Sequence, residues 1–157
     1  MIAGRLEPAT TAVIDRIWRE RWGIPIVSVR REYLPSDVEG LVWLGGDGEP
    51  EGLVTWAAAG EEAEIVSLDA FHQGRHIGAR LLDAAEAELR RRGVRRITIV
   101  TTNDNLRALA FYVRRGYRLV RLHLDAIDRV RAVKPAVALV GNEGIPLRDM
   151  WELEKEL

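Results

Sequence analysis

Ser67-Leu68-Asp69-Ala70-Phe71-His72-Gln73-Gly74-Arg75-His76-Ile77-Gly78-Ala79-Arg80-Leu81-Leu82 leads from a strand, through a tight glycine-containing turn, into a helix. The backbone N–H groups of a helix's first turn have no carbonyl partner, and they point at whatever lies in front of them. With the helix dipole behind them they form a receptive site for an anion, suited to a pyrophosphate. Gly78 removes side-chain bulk where a phosphate or the neighbouring strand comes closest. No G-K-[ST] follows, so this is not the Walker phosphate loop, and the full G-x-G-x-x-G dinucleotide fingerprint is absent. Taken alone, the segment also reads as an ordinary strand–turn–helix connection.

The surroundings sharpen the picture. Downstream, Ile77 to Arg92 is the strongest helix, with Ile77, Leu81, Leu82, Ala85 and Leu89 on one face. Asp83, Glu86 and Glu88 are assigned to its solvent side, Arg90 to Arg92 to the negative end of its dipole, and Gly93 to its cap. Ile97 to Thr101 is a β-branched strand. Asn105 to Arg115 is a helix that Gly116 ends, and Tyr117 to Leu124 is a strand. Upstream, Gly40–Leu44, Gly52–Ala59 and Glu62–Phe71 form an antiparallel meander joined by Gly45-Gly46-Asp47-Gly48-Glu49-Pro50 and Gly60-Glu61. A first helix spans Pro8 to Trp22. Ile24 to Tyr33 is either extended or a loop, and Leu34-Pro35-Ser36-Asp37 is a turn. At the far end, Ile127 to Val133 is read as helical, Ala136 to Val140 as a strand and Asp149 to Leu157 as a short acidic helix. A meander followed by alternating helices and strands is a mixed α+β sheet.

The 157 residues suit one domain, 1–157, with 47% apolar and 30% charged residues and so no signature of disorder. No apolar run approaches the roughly 20 residues that span a bilayer. The opening MIAGRLEP lacks a signal peptide's apolar stretch, so a cytoplasmic location is expected. There is no cysteine, which excludes thiolate metal sites and an acyl group carried on a protein thiol. A net charge of −1 argues against broad attraction to nucleic acid. Of the 23 basic residues 21 are arginine, from codon bias or for planar contacts with phosphate and carboxylate. His72, His76 and His123 have no metal-ligand spacing, so no metal is expected.

The segment around Gly78 resembles the acyl-CoA-binding motif Q/R-x-x-G-x-G/A of the N-acetyltransferase (GNAT) superfamily. Gln73 and Gly78 match it, and His76 stands where the first glycine would be. Asn105-Leu106-Arg107-Ala108-Leu109-Ala110-Phe111-Tyr112-Val113-Arg114-Arg115-Gly116-Tyr117 resembles the second hallmark, N-x-x-A-x-x-F-Y-x-x-x-G-Y, at every marked position. With the meander, the resemblance covers Leu41 to Leu124. Gly144-Ile145-Pro146-Leu147-Arg148-Asp149 is similar to the tail of small bacterial members.

The resemblance implies the acyl-CoA N-acyltransferase fold: a central, mostly antiparallel sheet with a V-shaped split, here near Leu68 to Ala70, and helices on both faces. It implies acetyl-CoA as co-substrate and direct transfer to a primary amine in a ternary complex, with no metal. Backbone amides at Leu68, Asp69 and Ala70 would hold the pantetheine arm. Gln73, Gly74, Arg75, His76, Ile77, Gly78 and Ala79 would hold the pyrophosphate, with Asn105 and Tyr112 also on the cofactor. Tyr112 would protonate the departing thiolate; its alternative is a packed aromatic. Glu64, directly or through a water, would take the amine's proton, and otherwise it is a solvated strand residue. Asn105 also has a place as helix N-cap. His76 is read as the helix's first turn, where a side chain fits without strain. Trp18 and Trp22 are core residues or the wall of an acceptor pocket. A non-catalytic acyl-CoA-binding domain on the same fold is the alternative reading, with His76 in its favour. A homodimer is the base-rate expectation.

Overall fold

The computed structural model describes residues 3–157. Its first element is a strand, β1 (Gly4–Pro8), which the sequence pattern did not announce. Helix α1 (Thr11–Arg21) therefore starts later than Pro8, behind Thr10, whose hydroxyl accepts from the Val13 N–H at 3.2 Å. The ambiguous Ile24 to Tyr33 stretch holds two short paired strands, β2 (Ile26–Val27) and β3 (Glu32–Tyr33), and Pro35–Asp37 makes a 3-10 turn. The meander follows as β4 (Glu39–Gly45), β5 (Pro50–Ala59) and β6 (Glu62–Ala70). Then come α2 (Ile77–Arg91), β7 (Arg96–Thr102), α3 (Leu106–Arg114), β8 (Arg118–His123), α4 (Ala126–Val133) and β9 (Met150–Glu156).

Seven strands form one sheet in the order β1-β4-β5-β6-β7-β9-β8. Only β6 and β7 are parallel, since α2 carries the chain across between them. The strand period of two sends alternate residues to opposite faces. Trp43 and Val54 join Leu81, Leu82, Leu89 and Tyr112 beneath α2 and α3. Val42 and Leu53 join Ile14, Ile17 and Trp18 beneath α1. Helices thus cover both faces of a mostly antiparallel α+β sheet, as the resemblance implied. Among the described residues no helix is long and apolar enough to cross a membrane.

Three local readings are corrected. Residues 149–157 are not a helix: β9 pairs antiparallel with β7 from Thr102↔Met150 to Arg96↔Glu156 and with β8 on its other side. Pairing on both sides, with β7 along its whole length and with β8 from Met150 to Glu154, satisfies its backbone and overrides the helix preference of its Glu, Leu and Lys residues. Ala136–Val140 is not a strand, and only Val140 makes an isolated bridge, to Pro146. Glu86 does not face solvent. It is 4% exposed and accepts from Lys155 Nζ of β9 at 2.6 Å and from the Tyr117 hydroxyl at 3.4 Å.

Candidate active site

The sheet opens where β6 bends. Its pairing with β7 ends at Ile65↔Ile99. On its other side the register with β5 shifts between Thr55↔Ser67 and Trp56↔Ile65, leaving Val66 as an extra residue. A bulge of this kind bends the strand and increases its twist. Beyond it, β6 stays with β5 to Gly52↔Ala70, so Val66–Ala70 presents an unpaired edge toward β7. The bend is anchored from behind: Ser67 Oγ accepts from Trp18 Nε1 at 3.0 Å and lies 2.7 Å from Thr55 Oγ1.

A cleft of about 470 Å³ runs from this edge between the N-terminal ends of α2 and α3. Of the residues expected on the cofactor, Leu68, Ala70, Gln73, Gly74, His76, Ile77, Gly78, Ala79, Asn105 and Tyr112 line it. The first helical hydrogen bond of α2 runs from the Arg80 N–H to the His76 carbonyl at 3.1 Å, so the N–H groups of Ile77, Gly78 and Ala79 have no helical partner. A Cβ built on Gly78 would meet nothing closer than Ala70 Cβ at 3.7 Å, so protein packing does not require this glycine. The space it leaves belongs to the cleft.

His76 is not in the first turn. It is the N-cap residue of α2, with φ 57° and ψ 22°, in the left-handed region. A glycine there would be free of the strain that Cβ brings, which supplies the physical reason for the motif's glycine. Asp69 and Arg75 do not line the cleft. Asp69 Oδ2 accepts from Trp22 Nε1 at 2.8 Å, and burial raises its pKa against that bond and the nearby Arg21 charge. Arg75 is tied to Glu51 Oε1 of β5 at 2.9 Å. In its stead Arg107, from the first turn of α3, reaches across and donates to Gln73 Oε1 at 2.8 Å.

Tyr112 is 8% exposed, with its ring edge-on to Phe111 and Tyr117 at 5.4 and 5.7 Å. Burial first, and the Asp69 charge second, drive its pKa far above the usual phenol value. Asn105 caps α3, its Oδ1 accepting from the Ala108 N–H at 3.1 Å.

A second cavity, of about 270 Å³, lies toward α1 and meets the first at Asn105, which lines both. Trp22 lines it, whereas Trp18 is buried in the core. Glu64 also lines it. Far from being a solvated strand residue, Glu64 is 5% exposed and accepts from the hydroxyls of Ser28 and, at 2.5 Å, Tyr33. The sequence reading did not single out Ser28 and Lys134, which line this cavity, Tyr33, which bonds Glu64, or Arg107, which lines the first cleft. Ser28 and Tyr33 lay in the segment left ambiguous; Arg107 was inside the quoted motif, where its basic charge beside a turn read as an anion site was a usable signal.

Comparison with known proteins identifies the family and the fold. The sequence model of the Acetyltransferase (GNAT) family matches residues 9–117. YxbD, an uncharacterized protein of Bacillus subtilis (strain 168), is 37% identical over 146 residues, 92% of each chain. The fold superposes on the IAA acetyltransferase from Bacillus cereus ATCC 14579 with a TM-score of 0.79, at 21% identity, over 99% of this chain and 100% of that one. A GNAT family acetyltransferase from Elizabethkingia anophelis with acetyl-CoA bound gives a TM-score of 0.75 at 17% identity, over 98% of each chain. A family match running from the start of α1 through α3, on a sheet split at β6, makes the chain a member of the acetyltransferase (GNAT) family.

Proposed function

We propose that the protein transfers an acetyl group from acetyl-CoA to the primary amine of an acceptor, with both substrates bound together. The observation that carries this reading is the unpaired edge of β6, lying between an anion-receptive cleft and a separate cavity walled in part by a buried carboxylate. The free N–H and C=O groups of Val66–Ala70 suit a pantetheine arm laid along them as an added strand, and the α2 N-terminus suits its pyrophosphate. With no cysteine to hold an acyl group, direct transfer is the simplest route.

The amine must lose a proton before its lone pair can attack, and Glu64, directly or through a water, is the group at hand to take it. The N–C bond forms, the C–S bond breaks, and the departing thiolate acquires a proton or a hydrogen bond. Tyr112 keeps its phenolic proton across the working pH range because its pKa is raised, so it is always able to donate. A neutral N–H on the β6 edge is suited to the negative charge that develops on the carbonyl oxygen.

One observation favours a second reading, a non-catalytic acyl-CoA-binding domain: a histidine occupies the left-handed position where the motif has glycine. Two measurements decide between them. Acetyl-CoA at 100 times its Kd should stabilise the fold by about 2.7 kcal/mol, seen as a rise in Tm. Release of free CoA over a panel of primary amines should follow. A rise in Tm with no amine-dependent CoA release would establish the second reading.

A further inference from the structure

We propose that the acceptor is a small aliphatic amine bearing a carboxylate, an amino acid in its simplest form, and that Lys134 receives the carboxylate. The inference rests on the acetyl-transfer reading and concerns the second cavity. About 270 Å³ suits a compact molecule better than a polypeptide segment or a large antibiotic. Most of the wall is aliphatic: Ile26, Val66, Val100, Ile127, Val130 and Leu147 come from five separate segments and enclose a hydrocarbon body.

Two charged side chains interrupt that wall, one of each sign. Glu64 already accepts from Ser28 and Tyr33, so it stands ready as a single negative charge for one amine. No second carboxylate lines the cavity, which is a poor match for polyamines and other polycations. Lys134 is the cation, and it forms no ion pair among the described residues. Its Nζ donates instead to the backbone carbonyls of Trp22 at 2.7 Å and Gly23 at 3.4 Å, where α1 ends. Desolvation lowers its pKa, the sign of an ammonium whose environment lacks a compensating anion. A bound carboxylate would supply that anion through a charge-assisted hydrogen bond. The two charges reach the one cavity from different elements, Glu64 from β6 and Lys134 from the C-terminal end of α4.

The test compares acceptors that differ only in the carboxylate: leucine with isopentylamine, valine with isobutylamine, and ε-aminocaproate with pentylamine. Spermidine and a short peptide are included. The expected result is that at least one carboxylated member has a kcat/KM more than tenfold above its partner. In Lys134→Gln, which keeps a donor for the Trp22 carbonyl, that ratio should fall by roughly 10- to 100-fold. In Lys134→Arg it should largely persist. A purely structural role for Lys134 predicts equal losses on both members of a pair and an unchanged ratio, and overturns the inference. So does spermidine or the peptide as the best acceptor, or acetyl-CoA binding with no amine of the panel accepted. Failure of acetyl-CoA to raise the wild-type Tm would instead overturn the acetyl-transfer reading itself.

Discussion

Tyr112→Phe separates the chemical role of one hydroxyl from the structural role of its ring. The ring is buried against Phe111 and Tyr117, and phenylalanine keeps both edge-on contacts. The hydroxyl has no hydrogen-bond partner among the described residues, so deleting it leaves nothing unsatisfied. Stability should therefore change by no more than about 0.5 kcal/mol, a Tm shift of about 1–2 °C. The catalytic magnitude follows from what the hydroxyl can do. A hydrogen bond to a charged group contributes about 1.5–3 kcal/mol, or roughly 10- to 150-fold in rate. Because burial raises the Tyr112 pKa well above its ordinary 10.0, complete proton transfer is steeper than for free groups, and the donated hydrogen bond carries most of the effect. A thiol with a pKa near 8.5 also leaves without help, so activity falls but survives. The assay is free-CoA release at saturating substrates, with single-turnover rates to show that chemistry limits, calorimetric Kd for acetyl-CoA, and thermal melts. A kcat within twofold of wild type under chemistry-limited conditions would refute the reasoning. A Tm loss above about 5 °C would return Tyr112 to a packing role.

Gly78→Glu should abolish acetyl-CoA binding by titration calorimetry while the fold survives, because the new side chain meets only open cleft and places a negative charge before the α2 N-terminus; wild-type affinity would put the co-substrate elsewhere. Lys155→Met should cost about 3–5 kcal/mol in urea unfolding by stranding the buried Glu86 carboxylate, and Glu86→Leu in the same chain should restore much of it; equal loss in the double variant would show packing, not charge, to be responsible. Stability should also fall with alkaline pH. Tyr33, Tyr112 and Tyr117 are all held above the ordinary 10.0 by burial, so above about pH 10 the unfolded chain releases phenolic protons that the folded chain retains. The unfolded state then binds fewer protons, and stability drops by up to about 4 kcal/mol per pH unit if all three contribute fully; a flat Tm between pH 9 and 11 would contradict this.

Much of the architecture was legible because it is written in short-range spacing. The meander follows from apolar strands broken by Gly45–Pro50 and Gly60-Glu61, α2 from its Ile77–Leu81–Ala85–Leu89 stripe, and the cap of α3 from Asn105. The turn ahead of α2 was visible for the same reason: a strand, a glycine and a helix start lie next to one another in the chain. Even there, the sequence left His76 one backbone conformation away from its true one, since whether a residue lies just inside a helix or just before it depends on how the turn closes.

What the tertiary structure alone decided is which distant residues meet. The acidic tail has the composition of a helix, and it is a strand because β7 and β8 leave a gap that only a paired backbone can fill. With β9 in that gap, Lys155 reaches Glu86 across 69 residues and makes a buried carboxylate tolerable on a helix whose pattern placed it in water. The second cavity is the extreme case, with Trp22, Glu64, Val100, Lys134 and Leu147 contributed from separate parts of the chain. A helix or strand period reports on neighbours a few residues away, and it holds no information about which far segments desolvate one another. The two motifs therefore pointed to the family and to the turn ahead of α2, while the second cavity exists only in the packed molecule.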